Sequence, residues 1–298
     1  MPDLRARLTG PDLPARVIRL GFRGPDVDAV VATAAQVAAS ADDLARIEIL
    51  ADRLAPARGC LDVWAGEDPW GVPEARSSRF DIGVLPMLTL LATADDVAEF
   101  HRTRGVPAEV SERTLSELGQ QVWVHRLTYG EFGLHTEGWL RTTWSGALYW
   151  LGRLQFHLDR QAGDWVLSTH IPRSGPLTPA SVDAALGWAR TFFAEHFPAQ
   201  PAAAFYCSSW LLDPQLTAIL PAESNMARFQ RRWELYGEPE LGDTDALFFT
   251  FARRGDFDLD QLPQDTALQR ALVARLRSGG HWQVRKGRIP MNQEASSR

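Results

Sequence analysis

The chain has 298 residues, 45% of them hydrophobic and 23% charged, a balance that excludes a disordered, collagenous or disulfide-stapled polypeptide and can supply two cores. Basic side chains number 31 against 37 acidic ones, for a net charge of −6, so no global positive field draws in nucleic acid. Cys60 and Cys207 form no CxxC pair, as expected of a protein kept reduced in the cytoplasm.

Lys286 is the only lysine beside abundant arginine, the composition of a GC-rich bacterial genome of actinobacterial type. Met1 to Gly10 holds Asp3, Arg5 and Arg7 with no apolar core, unlike a signal peptide. No apolar run reaches the ~18 residues of a membrane span, so no membrane partner is expected.

From Asp26 to Leu54, Val30, Val31, Ala34, Val37, Ala38, Ala41, Leu44, Ile47 and Leu50 recur at three- and four-residue steps. This is an amphipathic helix, or two joined near Ser40 to Asp43. Gly66, Pro69, Gly71 and Pro73 make Gly59 to Arg79 a long loop, and its Trp64 and Trp70 are expected to pack against the body of the protein or an apolar substrate. Ile82, Leu85, Leu88 and Leu91 resume helical spacing, Thr93 with Asp96 reads as a capping box, and Ser111 precedes another apolar stripe through Val122. The first domain, residues 1–137, is therefore predicted to be a helical bundle.

From Trp139 the period changes to two. Leu154, Phe156 and Leu158 alternate with Arg153, Gln155 and His157, which predicts a strand with one polar face. A strand at Trp165 to His170 follows. Pro172 to Pro176 then leads to a helix capped by Thr178 with Pro179 at its first position. Further strands are predicted at Ala203 to Cys207, Gln230 to Tyr236 and Ala246 to Phe251, with a short helix after Asp213, a helix at Thr266 to Arg277 and a last strand at Trp282 to Val284. The basic run Arg270 to Arg288 reads as a solvated helix face plus tail. The fold class is α+β.

Leu151-Gly152-Arg153-Leu154-Gln155-Phe156, His170-Ile171-Pro172 with Gly175-Pro176-Leu177, Cys207 to Pro214, and Ser224-Asn225 with Arg228-Phe229 resemble the bacterial acyltransferase domain-containing family. That family joins a helical N-acyltransferase amino-terminal domain to a GNAT-like carboxy-terminal domain, here residues 138–298. The resemblance implies transfer of an acyl group from a thioester, carried on coenzyme A or on an acyl carrier protein, to a small amine or alcohol held between the domains. It also implies that backbone N–H groups at the start of the helix after His170 hold a pyrophosphate. Arg173, Ser174, Gly175, Thr178, Ala180 and Ser181 occupy that loop. The sequence departs from the usual Gln/Arg-x-x-Gly-x-Gly/Ala pattern, since Pro176 and Pro179 remove two donors.

The chemistry-bearing residues are His170 as general base, Ser208 or Ser209 to polarise the carbonyl or protonate the thiolate, and Cys207 as a nucleophile or acid. Arg153, Gln155, His157, Trp210, Asn225 and Arg228 are candidates for substrate contact. Glu131, His135 and Glu137 match no zinc spacing, so no metal is expected. A GNAT-fold lyase or decarboxylase, or a non-catalytic small-molecule-binding protein, is the alternative.

Overall fold

In the computed structural model, which describes residues 3–81, 83–256 and 258–291, contacts divide the chain into two units, Met1–Trp150 and Leu151–Arg298. The described helices of the first are α1 (Leu4–Thr9), α2 (Leu13–Arg19), α3 (Pro25–Ala38), α4 (Ala41–Leu54), α5 (Val84–Thr103), α6 (Ala108–Leu115), α7 (Glu117–Tyr129) and α8 (Glu137–Trp144). The long stripe breaks into α3 and α4 where Ser40 leaves helical geometry and its hydroxyl accepts from the Asp43 N–H, an N-cap.

α5 is buried on nearly every side from Val84 to Ala94, the mark of a central helix, and Ile82 just before it lies outside the described residues. The expected cap at Thr93 is not one. Thr93 sits mid-helix, where its hydroxyl donates to the Thr89 carbonyl at 2.8 Å and accepts from Trp144 Nε1 at 3.1 Å. The loop after Gly59 forms two short 3₁₀ turns, Val63–Ala65 and Pro73–Ala75. Its two tryptophans part company: Trp70 is buried and donates to the Glu137 carbonyl, whereas Trp64 is 51% exposed. α8 replaces the expected start of a strand, because Leu140 and Trp144 are drawn into the first unit's core.

A sheet with order β1-β2-β3-β4-β6-β5 is formed by β1 (Leu148–Leu151), β2 (Leu154–Gln161), β3 (Asp164–His170), β4 (Ala204–Ser209), β5 (Glu234–Leu241) and β6 (Gln283–Pro290). β2 and β3 are an antiparallel hairpin, β3 and β4 are parallel, and β6 runs antiparallel between β4 and β5. The remaining described helices are α9 (Pro179–His196), α10 (Asn225–Gln230), α11 (Asp243–Phe251) and α12 (Ala267–Arg277).

Two expectations fail here. Ala246 to Phe251 is helical, within α11, with Asp243 and Asp245 in its first turn, where acidic groups favour a helix N-terminus. The partner of β5 is instead β6, so part of the supposed basic tail is an interior strand. Gly287 explains how it fits: a Cβ there would lie 2.8 Å from Trp233 Cβ and 3.0 Å from Leu212 Cδ1. No described helix is long and apolar enough to cross a membrane.

Candidate active site

The parallel pair β3 and β4 is in register only at Leu167 with Phe205 and Ser168 with Tyr206. Beyond that point β3 continues to His170 and β4 to Ser209, the latter still paired with β6 as far as Arg285. From Cys207 onward β4 is therefore no longer paired with β3, and the two strands part at their carboxy-terminal ends.

Alternation decides which side chains meet there. His157 lies opposite Ser168 and Gln155 opposite His170, so these four share one face. Tyr206, aligned with Ser168, brings Ser208 to the same face. Phe205, Cys207 and Ser209 point to the other, where the Arg190 side chain from α9 lies over Phe205.

The polar face holds a histidine pair. His157 Nδ1 and His170 Nε2 share a hydrogen bond of 2.8 Å, and the rings stack with centroids 4.9 Å apart. Burial lowers the pKa of both, and for His170 the neighbouring His157 lowers it further. Both imidazoles are thus neutral at pH 7. When His157 Nδ1 is the acceptor, His170 carries its hydrogen on Nε2 and its basic lone pair on Nδ1. Ser208 is exposed and Tyr206 half-buried beside it, with the Tyr206 hydroxyl raised by burial, then by Tyr236, and lowered by its hydrogen bond to Ser208. Tyr206 went unnoticed in the sequence, although its position two residues before Ser208 on a strand places the pair on one face.

Several other expected site residues stand elsewhere. Cys207 is buried on the opposite face from His170, its thiol pushed up to about 12 by burial, which makes it a small apolar filler. Ser209 also faces away, and its hydroxyl accepts from the Leu211 N–H at 3.1 Å. Trp210 packs with Leu216, Ala246, Leu272 and Trp282 in a core cluster. Asp213 binds the N–H groups of Gln215 and Gln283, a structural tie. Gln155 is buried beside His170, while Asn225 opens α10 and Arg228 pairs with Glu223.

Arg153 lies in the β1–β2 turn and not on the strand face with Gln155. Its guanidinium grips the loop that follows β3: Nη2 donates to the Gly175 carbonyl at 2.7 Å, Nη1 to Pro172 at 3.0 Å, and Nε to Gly175 and Pro176 at 3.1 and 3.2 Å. With these carbonyls turned toward Arg153, the loop between His170 and α9 has a fixed shape. Arg173, Ser174 and Gly175 are exposed on it, Gly175 at φ +118°, a backbone setting that favours glycine.

The start of α9 is a sparser cradle than the sequence implied. Pro179 has no N–H, the Ser181 N–H donates to Thr178 Oγ1 at 3.3 Å, and the Val182 N–H donates to the Thr178 carbonyl. Of that first turn, Ala180 alone retains a backbone donor for a ligand. In the first unit, His125 and His135 approach to 3.1 Å between their Nδ1 atoms, and no group of three or more metal-ligating side chains occurs among the described residues.

Comparison with known proteins fits this geometry. Residues 11–146 match the N-acyltransferase N-terminal domain and residues 148–289 the GNAT-like C-terminal domain. A solved acyltransferase in complex with decanoyl-CoA is 34% identical over 95% of this chain and 88% of that one, with a TM-score of 0.84. The chain belongs to this acyltransferase family. A mutant acyltransferase in complex with octanoyl-CoA is 33% identical over 94% of this chain and 88% of that chain, with a TM-score of 0.79. An acyltransferase in complex with decanoyl-CoA and teicoplanin is 36% identical over 97% of this chain and 87% of that chain, with a TM-score of 0.68. No curated protein matched the sequence. Within the family, β3, the Arg153-held loop and α9 supply the strand, loop and helix of the GNAT-like domain.

Proposed function

We propose that this acyltransferase moves an acyl group from an acyl-CoA thioester to a small-molecule amine or hydroxyl by direct attack, with His170 as the general base. The observation that carries the reading is the neutral His170 where β3 and β4 part, on one face with Ser208 and joined to α9 by the Arg153-held loop. The relatives' complexes with decanoyl-CoA and octanoyl-CoA support a coenzyme A donor, and the complex containing teicoplanin supports a small-molecule acceptor. A donor on an acyl carrier protein, a lyase or decarboxylase, and a non-catalytic binding protein draw no support from them.

In this reading the acceptor N–H or O–H attacks the thioester carbonyl carbon, and its proton passes to His170. The hydrogen bond to His157 Nδ1 holds the ring in one orientation while it carries the proton. Collapse of the tetrahedral intermediate breaks the C–S bond, and the departing thiolate takes up a proton. That proton comes from His170, either directly or through the Ser208 hydroxyl, so the base is regenerated and no covalent enzyme intermediate forms.

Titration calorimetry with decanoyl-CoA tests the donor: saturable binding is expected, and its absence for both the thioester and free coenzyme A would refute the proposal. Arg153 gives a sharper result. Arg153→Ala frees the loop carbonyls and is expected to raise the KM for acyl-CoA about tenfold, the equivalent of one charged hydrogen bond, with kcat little changed. Arg153→Lys lacks the planar fork and should recover only part of that loss. Equal KM values in all three proteins would remove the loop from donor binding.

A further inference from the structure

Next to the start of α9 lies a cavity of about 420 Å³ lined by Pro179, Glu223, Arg228, Arg231 and Arg232. Three arginines face one glutamate in a chain with an overall charge of −6, so this pocket runs against the charge of the protein. Its arginines have different tasks. Arg232 is a strut: Nη2 donates to Asp183 at 2.7 Å and to the Pro179 carbonyl at 3.3 Å, and Nη1 to the Arg228 carbonyl at 2.9 Å. It fixes α10 and the residues after it against the first turn of α9.

Arg228 pairs with Glu223. Arg231 makes no ion pair among the described residues, and its Nη1 donates to the Ala222 carbonyl at 2.6 Å. A guanidinium has five N–H donors, so Arg231 keeps most of its hydrogen-bonding capacity for a ligand. Planar forks of this kind match phosphate oxygens in pairs. Pro179 both begins α9 and lines the cavity, so the arginines stand beside the helix start where the Ala180 N–H is available to a second phosphate of the same ligand.

We infer that Arg228 and Arg231, held in place by Arg232, form a binding site for the ribose 3′-phosphate of the coenzyme A donor. The inference rests on the acyl-CoA reading and adds a determinant of donor choice: a thioester lacking that phosphate binds weakly. It also explains how a helix start with a single available N–H can serve a nucleotide donor, since much of the anion recognition moves to side chains.

Calorimetric titration of coenzyme A and of 3′-dephospho-coenzyme A tests it in the wild-type protein and in Arg231→Gln and Arg228→Gln, both exposed positions. Wild type is expected to bind coenzyme A about 10- to 100-fold more tightly than the dephospho form, the range of one or two charge-assisted hydrogen bonds. Arg231→Gln should lose most of that gap while binding the dephospho form as before, and Arg228→Gln part of it. Equal wild-type affinities, or a gap that survives both substitutions, would overturn the site while leaving the acyl-CoA reading intact. Failure of wild type to bind either compound would overturn both.

Discussion

His170→Ala is expected to lower kcat by about 10²- to 10⁴-fold, the usual contribution of a positioned acid–base group, while the Kd for acyl-CoA changes little. Removing the ring leaves the thioester and acceptor in place but takes away the group that receives the proton during attack. His170→Gln keeps a side chain of similar reach without a basic nitrogen, so an equal loss in both variants separates lost chemistry from lost packing. The pH profile adds a readout that a structural role would not move. With its pKa lowered by burial and by His157, His170 stays neutral into mildly acid solution, so the acid limb of kcat/KM should fall below the ordinary imidazole range.

His157→Asn removes one of the two influences that lower the His170 pKa and should move that limb upward, although burial continues to hold it down. His157 acts on the reaction only through His170 and is a positioning residue. Wild-type turnover in His170→Gln would end the base assignment.

How much of this was readable beforehand depends on where each signal lies. The α9 start was legible because Thr178 and Pro179 are local chemistry: the hydroxyl caps Ser181 and the ring suits the first turn. The β2–β3 hairpin was legible because its apolar residues alternate. Of β6 only the start was, in the strand expected at Trp282 to Val284, since the rest carries Arg285, Lys286 and Arg288 and buries only Gly287. Its place between β4 and β5 is decided by backbone pairing and by space beneath Trp233 and Leu212. α11 misled for the opposite reason, its Phe248, Phe249 and Phe251 having strand propensity that tertiary contacts override.

The candidate site divides in the same way. His170 was identifiable as the last residue of a strand before a capped helix, but its partner His157 is set by cross-strand register, which places residue 157 opposite 168 and thus diagonal to 170. Spacing in one strand could not reveal that contact. Nor could it show that Arg153 lies in a turn and reaches across to Gly175 and Pro172, because those bonds join residues about twenty positions apart. Cys207 was a candidate for its thiol and Ser209 for its hydroxyl near the strand end, and alternation along β4 turns both away from His170.

The same burial that keeps histidines neutral also makes the protein sensitive to acid, most clearly at His101. It is fully buried on α5, its Nδ1 2.8 Å from Ser111 Oγ and its ring against Tyr149, and burial lowers its pKa from 6.5 to about 4. Above pH 6.5 neither folded nor unfolded chain is protonated there, so the site adds no pH dependence. As the pH falls below 6.5 the unfolded chain takes up a proton that the folded chain refuses, and stability drops by about 1.4 kcal/mol per pH unit until the folded pKa is reached. The loss totals about 3 kcal/mol between pH 6.5 and 4, a sizeable share of a typical folding free energy, and the lowered histidine pair adds to it in the same direction. Urea unfolding at steps across this window should show wild type losing stability. His101→Gln, which has no ionisable ring, should start lower at pH 7 but fall less steeply by one proton's worth. Parallel slopes for the two proteins would mean that His101 is protonated in the folded state and that its burial does not exact the expected cost.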